Sequence, residues 1–257
     1  MAKKLWTQTA EVPEALRSQP PPARVRAIEA NEMGVAFQPI VDLETKEIFA
    51  AEMLARCRRE MFANPAILFE QAELQGATGR LGRLTREAGF ARAPEVPLFV
   101  NLHPHELSER WIVRPDDPMN VFEHGLFLEV TESAAFDYFE LVSGALRELC
   151  GRLNAQLVVD DFGAGQSNLL RIAELGPAIV KLDRSLVMHA DRHAAKQVIL
   201  RHLVRLCEDL GARVVAEGIE TVDELRAVID AGVHYGQGYL LARPADPMNE
   251  VVWPDGL

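Results

Sequence analysis

Cysteine is scarce in this 257-residue chain: there are three, and Cys57, Cys150 and Cys207 stand too far apart for any CxxC pairing. Such spacing suggests neither a disulfide framework nor a structural zinc site, and a reducing cytoplasm is the simplest setting. Long hydrophobic runs are missing as well. No apolar stretch reaches the roughly 18 residues of a membrane span, and the start Met1-Ala2-Lys3-Lys4-Leu5-Trp6 lacks a signal-peptide core. Direct membrane insertion is therefore not expected, and any membrane role passes through a partner. Positive charge is in deficit too, with 27 Lys and Arg against 38 Asp and Glu and a formal net charge of -11. That balance argues against neutralising a long nucleic-acid backbone. It leaves room for a small phosphate ligand held through metal ions.

What is present is 48% hydrophobic and 25% charged, a composition that suits one large α/β domain or two small ones. The run Pro20-Pro21-Pro22 cannot continue a helix, so residues 1–24 read as an arm or linker and residues 25–257 as the domain. Helical spacing is expected from Arg24 to Met33, then a strand at Val35 to Val41 whose Pro39 implies an irregular or edge-like side. An apolar run from Glu47 to Arg56 follows, then helical material from Pro65 to about Ala93 with Phe69, Leu74, Leu81 and Leu84 as core contacts. Strand and helix then alternate. Strands are read at Leu98 to Leu102, Gly125 to Glu132, Val158 to Asp161, Ile179 to Asp183, Arg213 to Gly218 and Tyr235 to Leu241. Helices are read near His105 to Trp111, at Phe136 to Leu153, at Asp191 to Leu210 with Val198, Leu203, Leu206 and Leu210 in register, and at Thr221 to Ala231, which opens on a capping pair with Glu224. Eight strand-like runs mostly separated by helices predict a (β/α)8 barrel.

Asp160 and Asp161 close one apolar run and Lys181 the next. Adjacent aspartates in a strand point to opposite faces and repel at close range, and one of them serves equally well as the cap of the next helix. The lysine one strand later favours function, because strand C-terminal ends are where barrels keep their chemistry. The same feature recurs along the chain. Glu52, Asn101, Glu129, Asp160 with Asp161, Lys181, Glu217 and Gln237 each stand within or at the end of an apolar run. Any one alone reads as a satisfied buried polar group; together, without cations, they would carry a penalty of about several kcal/mol apiece. Oxygen ligands without cysteine select Mg²⁺ or Mn²⁺ over Zn²⁺. An aspartate pair bridging two such ions about 3.5–4 Å apart activates water for in-line attack on phosphorus, so phosphodiester hydrolysis is the expected chemistry. Lys181 then either orients or deprotonates the water or stabilises charge on the phosphoryl oxygens.

The motifs, in order, are Phe37-Gln38-Pro39-Ile40-Val41, Glu52-Met53-Leu54 with Arg56, Asn101, Glu129-Val130-Thr131-Glu132-Ser133, Asp160-Asp161-Phe162-Gly163, Lys181-Leu182-Asp183, Ala216-Glu217-Gly218-Ile219-Glu220 and Gln237-Gly238-Tyr239. On this set the chain, from about Ala30 to Pro244, resembles the EAL-domain cyclic di-GMP phosphodiesterases. The resemblance implies a modified TIM (β/α)8 barrel with an antiparallel first strand. It also implies hydrolysis of cyclic di-GMP to linear pGpG with two divalent cations, Mg²⁺ or Mn²⁺, which lowers the level of the second messenger. Ca²⁺, which prefers longer bonds and looser geometry, is expected to inhibit.

Carried over by position, Glu52, Asn101, Glu129 and Asp160 match ligands of one metal. Asp160 and Asp161 match ligands of the second, with Glu217 assisting. Lys181 matches the catalytic lysine and Gln237 the glutamine near the hydrolytic water, while Gln38, Leu54, Arg56, Asp183 and Glu220 match substrate contacts. Glu132 matches the anchor of the loop after Asp161, through Ser167, and a homodimer is implied by the family alone. The chain departs from the pattern at Met53, in place of a signature alanine, and at Ala164, Gln166 and Asn168 in that loop. His103 and His105 follow Asn101 in place of small polar residues, either touching substrate or standing in a solvated loop. His189 and His193 have metal-like spacing, though an exposed helix start is the simpler reading. The rival function is a catalytically weak or silent EAL domain acting as a cyclic di-GMP receptor or protein-partner scaffold. An unidentified regulatory protein remains an open partner, and an unrelated sugar-phosphate barrel fails to explain the motif order.

Overall fold

The computed structural model describes residues 24–107, 112, 114–132, 139–163 and 169–257. The arm read over the first residues, the helix toward Trp111, Ser133 and the loop positions Ala164, Gln166, Ser167 and Asn168 lie outside the described residues.

Eight strands close a barrel in chain order: β1 Met33–Asp42, β2 Ile48–Cys57, β3 Leu98–Asn101, β4 Leu126–Thr131, β5 Gln156–Phe162, β6 Ile179–Leu182, β7 Arg213–Ala216 and β8 Tyr235–Gly236. β1 runs antiparallel to both β2 and β8 while all other neighbours are parallel. The cause is local. Only residues 43–47 join β1 to β2, too few for the crossover that a parallel pair needs. The Asp42 carboxylate ties that turn by accepting the N–H groups of Glu44 and Thr45 at 3.0 and 2.9 Å. Pro39 sits opposite Ala51, and the ladder shifts register just after it, between Ile40 and Val41.

The barrel interior is layered by the two-residue period of its strands. Ile40, Ala50, Phe99, Phe127, Val158, Ile179, Val215 and Tyr235, one from each strand, form a single buried cluster, joined by Phe49. Within it Phe49 stacks on Tyr235 at 4.0 Å and Phe99 on Phe127 at 4.4 Å between centroids. The alternate strand residues, among them Val100, Leu128, Val159, Val180 and Val214, belong to the larger core beneath the helices.

Among the described residues the helices are α1 Pro65–Leu74, α2 Thr78–Phe90, α3 Pro104–Leu107, α4 Phe139–Leu153, α5 Leu169–Leu175, α6 Arg184–Val187, α7 Ala194–Asp209 and α8 Val222–Asp230. Thr221 and Glu224 form the expected capping box at the start of α8. Several expectations are corrected. Arg24 to Met33 is two 3₁₀ turns, Val25–Ala27 and Ala30–Glu32, because Glu32 turns back to accept the Glu29 N–H at 2.8 Å. The helical stretch from Pro65 is broken at Gly76, whose φ of 54° ends α1. Leu74 is 72% exposed; α1 instead buries Leu68 and Ala72. In α7 the buried stripe is Leu200, Val204 and Cys207, leaving Val198 and Leu210 exposed. The eighth strand stops at Gly236 rather than running to Leu241.

Candidate active site

One pleat above the apolar floor, on the same interior face, stands a polar ring. Glu52, Asn101, Glu129, Asp160, Lys181, Glu217 and Gln237 each follow a floor residue by two positions, and Gln38 precedes Ile40 by two because β1 runs the other way. The barrel therefore delivers one polar side chain per strand to the C-terminal mouth. Gly238 closes the ring between the last two. A Cβ there would lie 2.1 Å from Ile219 O and 2.3 Å from Ile219 N, so only glycine lets the Glu217-to-Ile219 segment approach Gln237.

At the centre is Lys181, fully buried. Its Nζ lies 2.7 Å from Glu217 Oε1, 2.8 Å from Glu129 Oε1, 3.2 Å from Asp160 Oδ1 and 3.3 Å from Glu52 Oε2. Gln237 Nε2 donates to Glu52 Oε2 at 2.7 Å and to Gln38 Oε1 at 3.0 Å, and Gln38 Nε2 donates to Ala242 O at 3.0 Å. Asn101 Nδ2 donates to Glu52 Oε1 at 3.1 Å.

Strand alternation alone would turn Asp161 away from Asp160, but the backbone departs from it there. Asp161 takes a φ of 57°, the β5–β6 ladder shifts register between Val159 and Phe162, and its N–H donates to Asp160 Oδ1 at 2.9 Å. That irregularity turns both carboxylates toward the mouth.

The electrostatics show an excess of carboxylate over cation. Burial pushes Glu129 well above the usual carboxylate range, with Glu52 and Asp160 adding to it against Lys181. Burial also raises Glu217 to about 8, with Lys181 opposing and Asp160 and Glu52 adding. Asp161 rises to about 6 through burial and the Asp160 charge. For Glu52 burial acts upward, but the Lys181 ammonium and the Gln237 and Asn101 amides together bring it below its ordinary value. Lys181 loses hydration on burial, yet Asp160, Glu129, Glu217 and Glu52 hold it well above the ordinary lysine range.

This donor set fits divalent cations. Ligand oxygens of Glu52, Glu129 and Asp160 fall within 4.8 Å of one another, as do those of Asp160, Asp161 and Glu217, so the two groups share Asp160. The buried Glu129 oxygens accept no well-directed hydrogen bond although Oε1 is within ion-pair distance of Lys181. Buried carboxylates left in that state call for cations, and an all-oxygen set selects hard ones.

Beside the ring opens a cavity of about 550 Å³ whose wall includes Glu52, Leu54, Arg56 and Asn101. Asp183 and Glu220 are not on that wall, and each has one carboxylate oxygen engaged. Asp183 caps α6 by accepting the Ser185 N–H at 2.9 Å, and Glu220 pairs with Arg184 Nη2 at 2.8 Å. Glu132 accepts the Gly163 N–H at 3.1 Å at the start of the loop after Asp161. Sequence reasoning missed Arg86, only 1% exposed, which pairs with Glu106 at 2.7 Å and Asp117 at 3.0 Å. Glu106 also accepts the His103 N–H at 3.2 Å and so braces the segment after Asn101.

The sequence model of the EAL domain family matches residues 23–244. A cyclic di-GMP phosphodiesterase of Pseudomonas aeruginosa is 30% identical, over 85% of this chain and 39% of its own length. The structure of Klebsiella pneumoniae BlrP1 in complex with calcium and cyclic di-GMP aligns with TM-score 0.74 and 30% identity over 86% of this chain and 58% of that one. Its manganese and cyclic di-GMP complex gives 0.70 and 29% over 83% and 56%. The chain thus spans less than two thirds of the length of these relatives.

Proposed function

The chain belongs to the EAL domain family, and from that premise we propose that it hydrolyses cyclic di-GMP to linear pGpG and so lowers the level of that second messenger. The observation that carries the reading is the convergence of Glu52, Glu129, Asp160 and Glu217 on one buried lysine at the mouth of the barrel. Glu52, Asn101, Glu129 and Asp160 would hold one divalent cation, and Asp160, Asp161 and Glu217 the other, as Mg²⁺ or Mn²⁺. When bound, such a pair lowers the pKa of a water and neutralises charge developing on the phosphoryl oxygens.

The chain's own groups do the rest. With the ring free of cations its carboxylates hold Lys181 protonated; cations bound to the same carboxylates would weaken that hold, so Lys181 either orients or deprotonates the water or stabilises charge on the phosphoryl oxygens. Gln237, through Nε2, fixes the orientation of the Glu52 carboxylate and of Gln38. Leu54 and Arg56, on the cavity wall, receive the nucleotide. Asp183 and Glu220 each keep one oxygen in a helix cap or an ion pair and would offer the other to substrate. We assign the protein to the cytoplasm as a homodimer, with Glu132 anchoring the start of the loop after Asp161 and a regulatory protein as a further partner.

Incubation of purified protein with cyclic di-GMP and Mg²⁺ or Mn²⁺, with chromatography of the nucleotides, tests this. Accumulation of pGpG, suppressed by Ca²⁺, supports the enzyme. Binding of cyclic di-GMP without turnover replaces it with the receptor reading.

A further inference from the structure

Outside the carboxylate ring, Glu73, His103 and His105 bring ligand atoms within 4.8 Å of one another. They come from separate parts of the fold. Glu73 lies in the last turn of α1, His103 just before α3 and His105 within it. Glu73 and His103 also line the 550 Å³ cavity. The two imidazoles meet edge to face, 5.0 Å between centroids, and His103 Nδ1 accepts the His105 N–H at 3.2 Å.

The chemistry of this cluster differs from that of the ring. Two imidazoles and one carboxylate form the donor set of borderline transition ions, with a coordination position to spare, whereas Mg²⁺ prefers oxygen alone. We infer that Glu73, His103 and His105 form a separate metal site that takes Zn²⁺ or a similar transition ion and ties α1 to the segment after β3 across the cavity mouth. The ion takes the lone pair that His103 Nδ1 now offers to the His105 N–H, exchanging one long hydrogen bond for a coordinate bond. The inference concerns binding and holds whether or not the chain turns over cyclic di-GMP.

The test is a Zn²⁺ titration of the full chain carrying D160N, which disables the oxygen ring, in competition with a chromophoric chelator. Co²⁺ serves as a spectroscopic stand-in. One equivalent is expected to bind, with Co²⁺ absorption of the kind that imidazole nitrogen produces. Adding E73Q or H105Q, both on accessible side chains, should weaken binding by on the order of tenfold or more, with circular dichroism checking that the fold is kept. No Zn²⁺ binding by the D160N chain, or affinity unchanged by both added substitutions, overturns the site.

Discussion

Lys181 Nζ stands 2.7 Å from Glu217 Oε1, and the two titrate in unequal ways: the lysine is held charged while burial raises the glutamate to about 8. On the proposed two-ion reading, cations and protons compete for the same carboxylates.

That competition sets a pH dependence. A carboxyl whose folded pKa is raised contributes stability that is fully present below its unfolded value, near 4.5 for Glu217, and lost as pH rises through about 8. Asp161, raised to about 6, acts in the same direction over a lower window. Mn²⁺ binding at pH 7 should release protons, and Mn²⁺ affinity should rise from pH 6 to pH 8. Calorimetry in buffers of different ionisation enthalpy measures the release, which E217Q should reduce. Affinity independent of pH would contradict the assignment.

Lys181→Met should abolish turnover. It also leaves buried carboxylates without their cation, which costs about 3–5 kcal/mol. Thermal unfolding of the metal-free variant should therefore fall well below wild type, with most of the loss recovered in Mn²⁺. Turnover or unfolding temperature unchanged by the substitution would refute this role for the lysine.

Gly238→Ala places a Cβ against the Ile219 backbone, where no flexible side chain can yield. A loss of about 1–3 kcal/mol in denaturant unfolding is expected, together with a fall in kcat, since both Glu217 and Gln237 flank the contact. A variant as stable and active as wild type would show that the segment relaxes freely.

The cysteines supply a check away from the site. Burial raises Cys207, and likewise Cys150, to about 11 from an ordinary 9.0. At pH 8 each should carry roughly 100-fold less thiolate than an ordinary cysteine. Reaction of these thiols with a disulfide reagent should be correspondingly slow and should accelerate on unfolding; labelling of native protein at the rate of free cysteine would contradict it.

The polar ring was legible because each member breaks an apolar run, and strand alternation alone puts Glu129 on the face of Phe127 and Lys181 on that of Ile179. The barrel followed from the count of such runs. Asp161 was not legible in this way. Its orientation depends on a positive φ and a shift in the β5–β6 ladder, both set by pairing between segments distant in sequence. Leu74 and Val198 show the same limit in helices, where period alone does not say which face is covered. Arg86 reads as an ordinary helix-surface charge, since its partners Glu106 and Asp117 lie 20 and 31 residues away.

The most direct measurement is pGpG formation as Mn²⁺ is titrated into metal-free protein of known concentration. The account predicts no turnover in chelator and full activity only once two ions per chain are bound. Hydrolysis of cyclic di-GMP that persists in chelator, or that saturates at a single ion, would contradict it.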